Sequence, residues 1–362
     1  MKSFFIRKIS VTLFIMLFTI IIASLTSLGA ETGTFSITYL DVGQGDAAIV
    51  QCDNHYMMID GGDSNQSSHI YSYLKSHNIT HLDYVINSHP HDDHIGGLSG
   101  ALNYATADYA FCPVDQYDSR PFESFKKYAA KSGASVQFPD FSKVYSLGNA
   151  SFRFLGPLED SESLNDMSLI MFLQYGHTSF LFTGDMELEE ENSLLNHGAV
   201  PEADVLKIGH HGSDSSSSYF FLRTVKPKYA VISVGAENIY GHPHEALLSR
   251  LNDAGVKTFR TDLNGTITCF SNGSDIVFQT EKEPLIPLII TETHSELPIT
   301  RNTESLGLSD ANVYVLNTNS RRFHLPSCSS VSKMKEKNKE FSSKSREDLI
   351  SEGYRPCGNC HP

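Results

Sequence analysis

Apolar positions along this chain fall into short runs with a period of two or none, separated by glycine-rich and polar turns. Phe35, Ile37 and Tyr39 alternate with polar residues, and Ala48 and Val50 do the same, which predicts two half-buried strands. Leu82, Tyr84, Val85 and Ile86 form an apolar, partly β-branched run that predicts a buried strand, and Phe180 to Thr183 and Val205 to Ile208 read alike. Tyr175-Gly176-His177-Thr178 predicts a hairpin turn between two strands, whereas Ala246, Leu247, Leu248 and Leu251 have the spacing of an amphipathic helix. The pattern supports an α/β (α+β) class in which strands and helices alternate.

Chemistry collects where these strands end. His89-Pro90-His91-Asp92-Asp93-His94 follows the run that ends at Ile86 and precedes Ile95-Gly96-Gly97-Leu98, a tight turn into a helix. Three imidazoles and a carboxylate in so short a window make a metal cage. His89 and His91 can face one ion, and Asp93 and His94 a second. Neutral imidazole with carboxylate suits zinc, manganese or iron better than calcium or magnesium. An exposed loop that happens to be histidine-rich is the competing reading, and the packing of the histidines weighs against it.

Other strand ends add to the set. Asp41-Val42-Gly43-Gln44-Gly45-Asp46 reads as a tight turn between two strands, whose Asp41 and Asp46 can accept from and orient the metal-bound imidazoles. Asp185 ends one strand, where a carboxylate can bridge two cations, and His210 and His211 end another. One of these two histidines is expected to close the second metal's ligand set; the other can donate to a phosphate or act on the leaving group. Lys207 and Ser213 are candidate phosphate contacts, within a stretch whose Ser215 to Ser218 read equally as an anion cradle or a plain polar loop. His242 and His244 can line a substrate groove or sit in a surface turn. Two cations in such a cage activate a water and clamp the oxygens of a phosphoryl or carbonyl group, with Asp93, His210 and His211 nearest the chemistry. The chain has no Gly-x-Ser-x-Gly elbow, phosphate-binding Gly-Lys-Ser/Thr loop or paired-glycine dinucleotide fingerprint in the expected context.

These blocks, in this order, resemble the metallo-β-lactamase superfamily from about residue 35 to about residue 279, and more closely its ComEC-type competence hydrolase branch. The resemblance is carried by Tyr39 to Ala47, Met58-Ile59-Asp60-Gly61-Gly62, the histidine cluster, Asn165-Asp166-Met167-Ser168, Leu181 to Asp185, and His210-His211-Gly212-Ser213. It implies a four-layer αββα sandwich with two divalent metals (Zn2+ or Mn2+) at one edge of the sheets. It also implies that Asp60 orients a ligand and that Asp185 bridges the ions. The wider superfamily places a third histidine between the signature and the bridging aspartate. Here that interval offers Asn165, Asp166 and Ser168, while His177 sits in the hairpin turn. The resemblance makes Asp166 the substitute and counts against lactam hydrolysis.

Composition then bears on substrate and compartment. The chain has 362 residues, 40% of them hydrophobic, which suffices for a sizeable core at residues 31–280. Its formal net charge of -14 is unlike that of most nucleic-acid binders, although residues 312–362 carry nine Lys and Arg against five Asp and Glu. Lys2, Arg7 and Lys8 precede an apolar run from Ile9 to about Leu25, and Leu28-Gly29-Ala30 ends it with small residues. Residues 1–30 therefore read as a signal peptide cleaved after Ala30, or as an anchor that tethers the protein to the membrane if retained. Cys52, Cys112 and Cys269 have no framework spacing and read as buried thiols.

Residues 281–311, with Pro284, Pro287 and Pro298 among Thr, Ser and Glu, read as a linker. After it, a strand beginning at Val313-Tyr314-Val315, His324-x-x-x-Cys328 and Cys357-x-x-Cys360 fit a small module, residues 312–362, stapled by one structural Zn2+ on three cysteines and a histidine. This stretch resembles the zinc-binding module of the Ada repair protein. Cys357-Gly-Asn-Cys360-His361 also matches a c-type haem attachment, and a disulfide between the two cysteines is a third reading. The expected function is an exported metal-dependent phosphodiesterase, a nuclease acting on extracellular DNA. The alternatives are a small-molecule phosphodiester or ester (lactone) hydrolase and a non-catalytic metal- or DNA-binding protein. No protein partner is implied.

Overall fold

The computed structural model describes residues 34–158, 161–282, 314–324, 328–342, 344 and 346–357. The N-terminal apolar segment, most of the linker and Cys360 lie outside the described residues. Two sheets are built from strands that start antiparallel and turn parallel. In the first, Phe35–Tyr39, Ala48–Cys52 and His55–Ile59 meander, with Phe35 opposite Cys52 and Ala48 opposite Ile59. His55–Ile59, His81–Ile86, Thr106–Phe111 and Val136–Gln137 then run parallel, while Ile267–Ser271 and Ile276–Thr280 complete eight strands at the other edge. The second sheet has seven strands. Tyr145–Leu147, Ala150–Gly156, Ile170–Tyr175 and Thr178–Phe182 are antiparallel, followed by parallel Val205–Lys207, Tyr229–Ile232 and Lys257–Arg260.

Three apolar cores separate four layers. Ile37, Val50, Met57, Phe152, Leu173, Phe180 and Val205 fill the space between the sheets. On the outer face of the first sheet, Met58 and Val85 meet Ile70 and Leu74 of helix Ser67–Ser76, Leu98 of Leu98–Tyr104, and Phe122 and Phe125 of Arg120–Ser132. On the outer face of the second, Leu181, Leu206 and Ile232 meet Leu194, Phe221 and Leu247 from helices Leu188–Asn196, Tyr219–Val225 and Glu245–Asp253. Neighbours Met57 and Met58 thus enter different cores, as do Phe180 and Leu181. Burial on both faces is why such strands read as continuous apolar runs rather than clean alternation. Helix Arg120–Ser132 shows how local chemistry sets the boundaries: Ser119 Oγ accepts from the Phe122 N–H at 3.3 Å, Pro121 opens the first turn, and Gly133 closes the helix at φ 106°.

The four-layer αββα expectation holds. Tyr175 pairs with Thr178 across the predicted hairpin, and Cys52, Cys112 and Cys269 are free, buried thiols. One local expectation changes: residues 40–47 are a longer loop rather than a tight turn, tied at its base by the Leu40 N–H to Ala47 O and folded onto the histidine cluster by the Asp46 N–H to Asp93 O. The C-terminal residues form a separate small sheet in the order Lys339–Ser342, Tyr314–Asn317, Arg322–His324, Arg355–Pro356, with a small apolar cluster of Tyr314, Leu316, Phe323, Leu349 and Tyr354 among the described residues. Among the described residues no helix is long and apolar enough to cross a membrane.

Candidate metal centre

Parallel strands present their carboxyl ends along one edge, where backbone leaves the sheets and loops are free to carry polar groups. Asp60 follows His55–Ile59, the histidine cluster follows His81–Ile86, Asp185 follows Thr178–Phe182, His210 and His211 follow Val205–Lys207, and the loop to His242 follows Tyr229–Ile232. Both sheets therefore contribute to one site.

Its centre is compact. One ligand atom from each of Asp93, His94, Asp185 and His211 lies within 4.8 Å of all the others. His94 Nε2 is 3.3 Å from His211 Nε2, and His211 Nε2 is 3.2 Å from Asp93 Oδ2 and 3.4 Å from Asp185 Oδ2. Beside this group His89 Nε2 is 2.9 Å from His91 Nδ1 and 3.9 Å from Asp185 Oδ2, so Asp185 stands between two sets of imidazoles. Asp185 Oδ1 is buried, 3.3 Å from His94 Nε2. Imidazole nitrogens and carboxylates converging in this way are the donor set of zinc, manganese or iron. The residues fit the divalent cations that the fold family implies.

The electrostatics point the same way. Burial, with His94 next, pushes the His89 pKa down, and burial likewise lowers that of His91. For His94 and His211 burial acts downward too, but Asp185 and the neighbouring carboxylates outweigh it and both are raised well above the ordinary histidine value. Asp185 is held well below the carboxylate range, because His211 and His94 overcome the cost of its burial. A divalent cation held by these residues would supply positive charge beside Asp185.

A ring of buried groups fixes the ligands. Asp60 Oδ2 lies 3.0 Å from His94 Nδ1 and accepts from Ser88 Oγ at 2.6 Å, while its Oδ1 accepts from the Ser88 N–H and Asn87 Nδ2. Asp46 Oδ1 lies 3.2 Å from His211 Nδ1, which is also 3.0 Å from Ser233 O. Each ring is held at one nitrogen and offers the other to the centre. Asp60, His210 and His211, at strand ends that carry the site, adopt positive φ of 53°, 48° and 51°, uncommon for residues other than glycine. Gly45 permits the loop to fold this closely onto the cluster: a Cβ there would clash with Asp93 O.

The structure sorts the remaining candidates. His211 joins the compact group. His210 sits at the rim, with Nε2 4.0 Å from Asp185 Oδ2 and Nδ1 3.2 Å from Glu187 Oε1. Lys207 does not face a phosphate; its ammonium is buried, 2.6 Å from Asp46 Oδ2, because a lone charge at that depth needs a partner. Asp41 does not reach the histidines either: its oxygens take the Gly43 N–H and Lys282 Nζ, on the outer side of the long loop. Asp166 spends Oδ1 on the N–H groups of Glu187 and Glu190 at the start of helix Leu188–Asn196. Ser213 lies behind the cleft, bonded to Ser215, and His244 Nδ1 accepts from the Asp214 N–H. His242 does line the cleft. In the C-terminal sheet His324, Cys328 and Cys357 form a buried group within 4.8 Å, with both His324 nitrogens unpartnered.

The centre opens into a cleft of about 380 Å³ walled by His91, Asp93, Asp185, His210, His211 and His242, and by Gln44, Asp92, Asn165 and Tyr240. Those last four are missing from the sequence-based set of site residues. Asn165 stands beside Asp166 and Gln44 between two glycines, so position carries the signal, but nothing in residue type distinguishes them from turn residues.

Comparison with known proteins agrees with this geometry. Over 250 residues, 64% of this chain, it is 32% identical to ComE operon protein 3 of Bacillus subtilis (strain 168), covering 32% of that protein. It is 30% identical over 236 residues to Competence protein ComA of Neisseria gonorrhoeae, again 64% of this chain and 32% of the relative. The chain thus spans about a third of the length of these relatives. Among solved structures, the metallo-beta-lactamase fold protein YhfI from Bacillus subtilis aligns over 66% of this chain and 100% of its own, at 14% identity and a TM-score of 0.46. Residues 40–236, which hold every ligand of the compact group, match the family model of the metallo-beta-lactamase superfamily, and the chain belongs to that superfamily of metal-dependent hydrolases.

Proposed function

We propose that the protein hydrolyses phosphodiester bonds in DNA outside the cytoplasm, using two divalent cations at the His89–His91 and His94–His211 positions. The observation that carries this is Asp185 standing between the two imidazole sets at the floor of an open cleft. Cations there supply Lewis-acid clamping of a phosphoryl oxygen and an acidified water. Asp60 and Asp46 hold the His94 and His211 rings in register, and Asp93 orients against His211. His210, at the rim and braced by Glu187, is placed to serve the leaving oxygen. The names of two relatives, Competence protein ComA of Neisseria gonorrhoeae and Recombination protein 2 of Haemophilus influenzae, support DNA as the substrate class. The N-terminal apolar segment is the expected export signal or anchor.

A second reading, hydrolysis of a small phosphodiester or ester, is favoured by one feature: among the described residues the cleft walls carry Asp92, Asp93 and Asp185 and no Lys or Arg. In the C-terminal module, His324, Cys328 and Cys357 would hold a structural zinc, with Cys360, outside the described residues, as the expected fourth ligand, since the apolar cluster described there is small for independent folding. Cleavage of labelled single- and double-stranded DNA and of bis(p-nitrophenyl) phosphate, with Zn2+ or Mn2+, decides between the readings. DNA cleavage lost in both Asp93→Ala and Asp185→Ala is expected. Turnover of the small diester alone would overturn the nuclease reading.

A further inference from the structure

Two cation positions sharing one bridging carboxylate are not equally furnished. The His94–His211 position has two carboxylates, Asp93 and Asp185. The His89–His91 position has the two imidazoles and its share of Asp185, 3.9 Å from His89 Nε2. Asp166, expected to fill the gap, is turned away to cap helix Leu188–Asn196.

Its neighbour is differently placed. Asn165 lines the cleft together with His91, Asp185 and His210, and its side-chain Oδ1 is buried without any hydrogen-bond partner. An amide oxygen left unpaired in the interior costs roughly 1–3 kcal/mol, so an unpartnered one on a residue that lines a site calls for a ligand. The turn that carries it is fastened to the bridging residue: the Ser168 N–H donates to Asn165 O at 3.0 Å, and Ser168 Oγ accepts from the Asp185 N–H at 3.0 Å. Asn165 is thereby held in register with Asp185.

Resting on the two-cation reading above, we propose that Asn165 Oδ1 completes the His89–His91 position, and that this neutral donor makes it the weaker and later-filled of the two. Cation affinity follows ligand charge. One position receives two carboxylates, the other a shared carboxylate and an amide.

The test titrates the full chain, stripped of metal, with Mn2+, which the cysteine-rich C-terminal group disfavours. Calorimetry and bound-metal content report stoichiometry, and electron paramagnetic resonance separates a lone Mn2+ from a coupled pair. The wild type is expected to bind two ions in two affinity classes. Asn165→Ala should keep only the tight class and show the lone-ion spectrum, its retained tight site proving the fold. Asn165→Asp should tighten the weak class by about tenfold or more. Two ions bound by Asn165→Ala with wild-type affinities, or an unchanged weak class in Asn165→Asp, would overturn the proposal. DNA cleavage measured on the same samples is a separate readout: two-class binding without cleavage sinks the nuclease reading and leaves this assignment standing.

Discussion

Replacing Lys207 by methionine tests whether the buried ion pair behind the metal centre serves stability or the site. Lys207 Nζ lies 2.6 Å from Asp46 Oδ2, both side chains are nearly inaccessible, and the ammonium also donates to Ile208 O at 2.8 Å. Removing one partner of such a pair leaves an uncompensated interior charge and costs about 3–5 kcal/mol. His211 Nδ1 is 3.2 Å from the other Asp46 oxygen and can take part of the load, so the lower end, about 3 kcal/mol, is expected. Removing both charges, as Asp46→Leu with Lys207→Met, should restore most of that loss, because apolar replacement of a buried pair is often neutral. The double variant nevertheless frees His211 Nδ1 from its carboxylate and is expected to bind metal about 10–100-fold more weakly. Urea denaturation of both variants, with metal binding by calorimetry, reads the two effects separately. A single-variant loss below about 1 kcal/mol, or a double variant that binds metal as tightly as the wild type, would refute the argument.

Further expectations follow from particular contacts. Burial pushes the Glu191 carboxyl up to about 7 from 4.5, against the Ser217 and Ser218 N–H groups, so the folded chain keeps a proton that the unfolded chain releases. That contribution is full below about pH 4.5 and is lost as pH rises through 7, amounting to about 3 kcal/mol. Glu191→Gln should flatten this part of the stability-pH curve, and an unchanged slope contradicts the assignment. Gly45→Ala sets a Cβ against Asp93 O at φ 143° and should lower the melting temperature, and one within about 1 °C of wild type would show that the loop yields freely. Cys357→Ser should leave hydrolase activity intact while zinc content falls by one and residues 312–362 become protease-sensitive. Equal zinc content in both proteins would dismiss the C-terminal zinc.

What the sequence shows of this molecule follows from the range of each physical signal. The sandwich is legible only as alternation, since Met57 and Met58 enter opposite cores and a strand covered on both faces loses its period; the layering came through motif resemblance. The ligands are legible because chemistry confines them: three histidines and two aspartates within six residues leave few other readings. Roles that depend on contacts distant in sequence are not. Nothing local to Lys207 says that it turns inward to Asp46, and nothing local to Asp41 says that Lys282 draws it outward. Asp166 and Asn165 show the limit most clearly. A carboxylate is the better ligand in isolation, so residue type favours Asp166, but the start of helix Leu188–Asn196 presents free N–H groups that a carboxylate satisfies well. The helix takes the charged neighbour, and the neutral amide is left facing the cleft. The substitution that residue chemistry suggests is thus reversed by competition for the same carboxylate. Competition of that kind becomes visible only once the second sheet has brought helix and cage together.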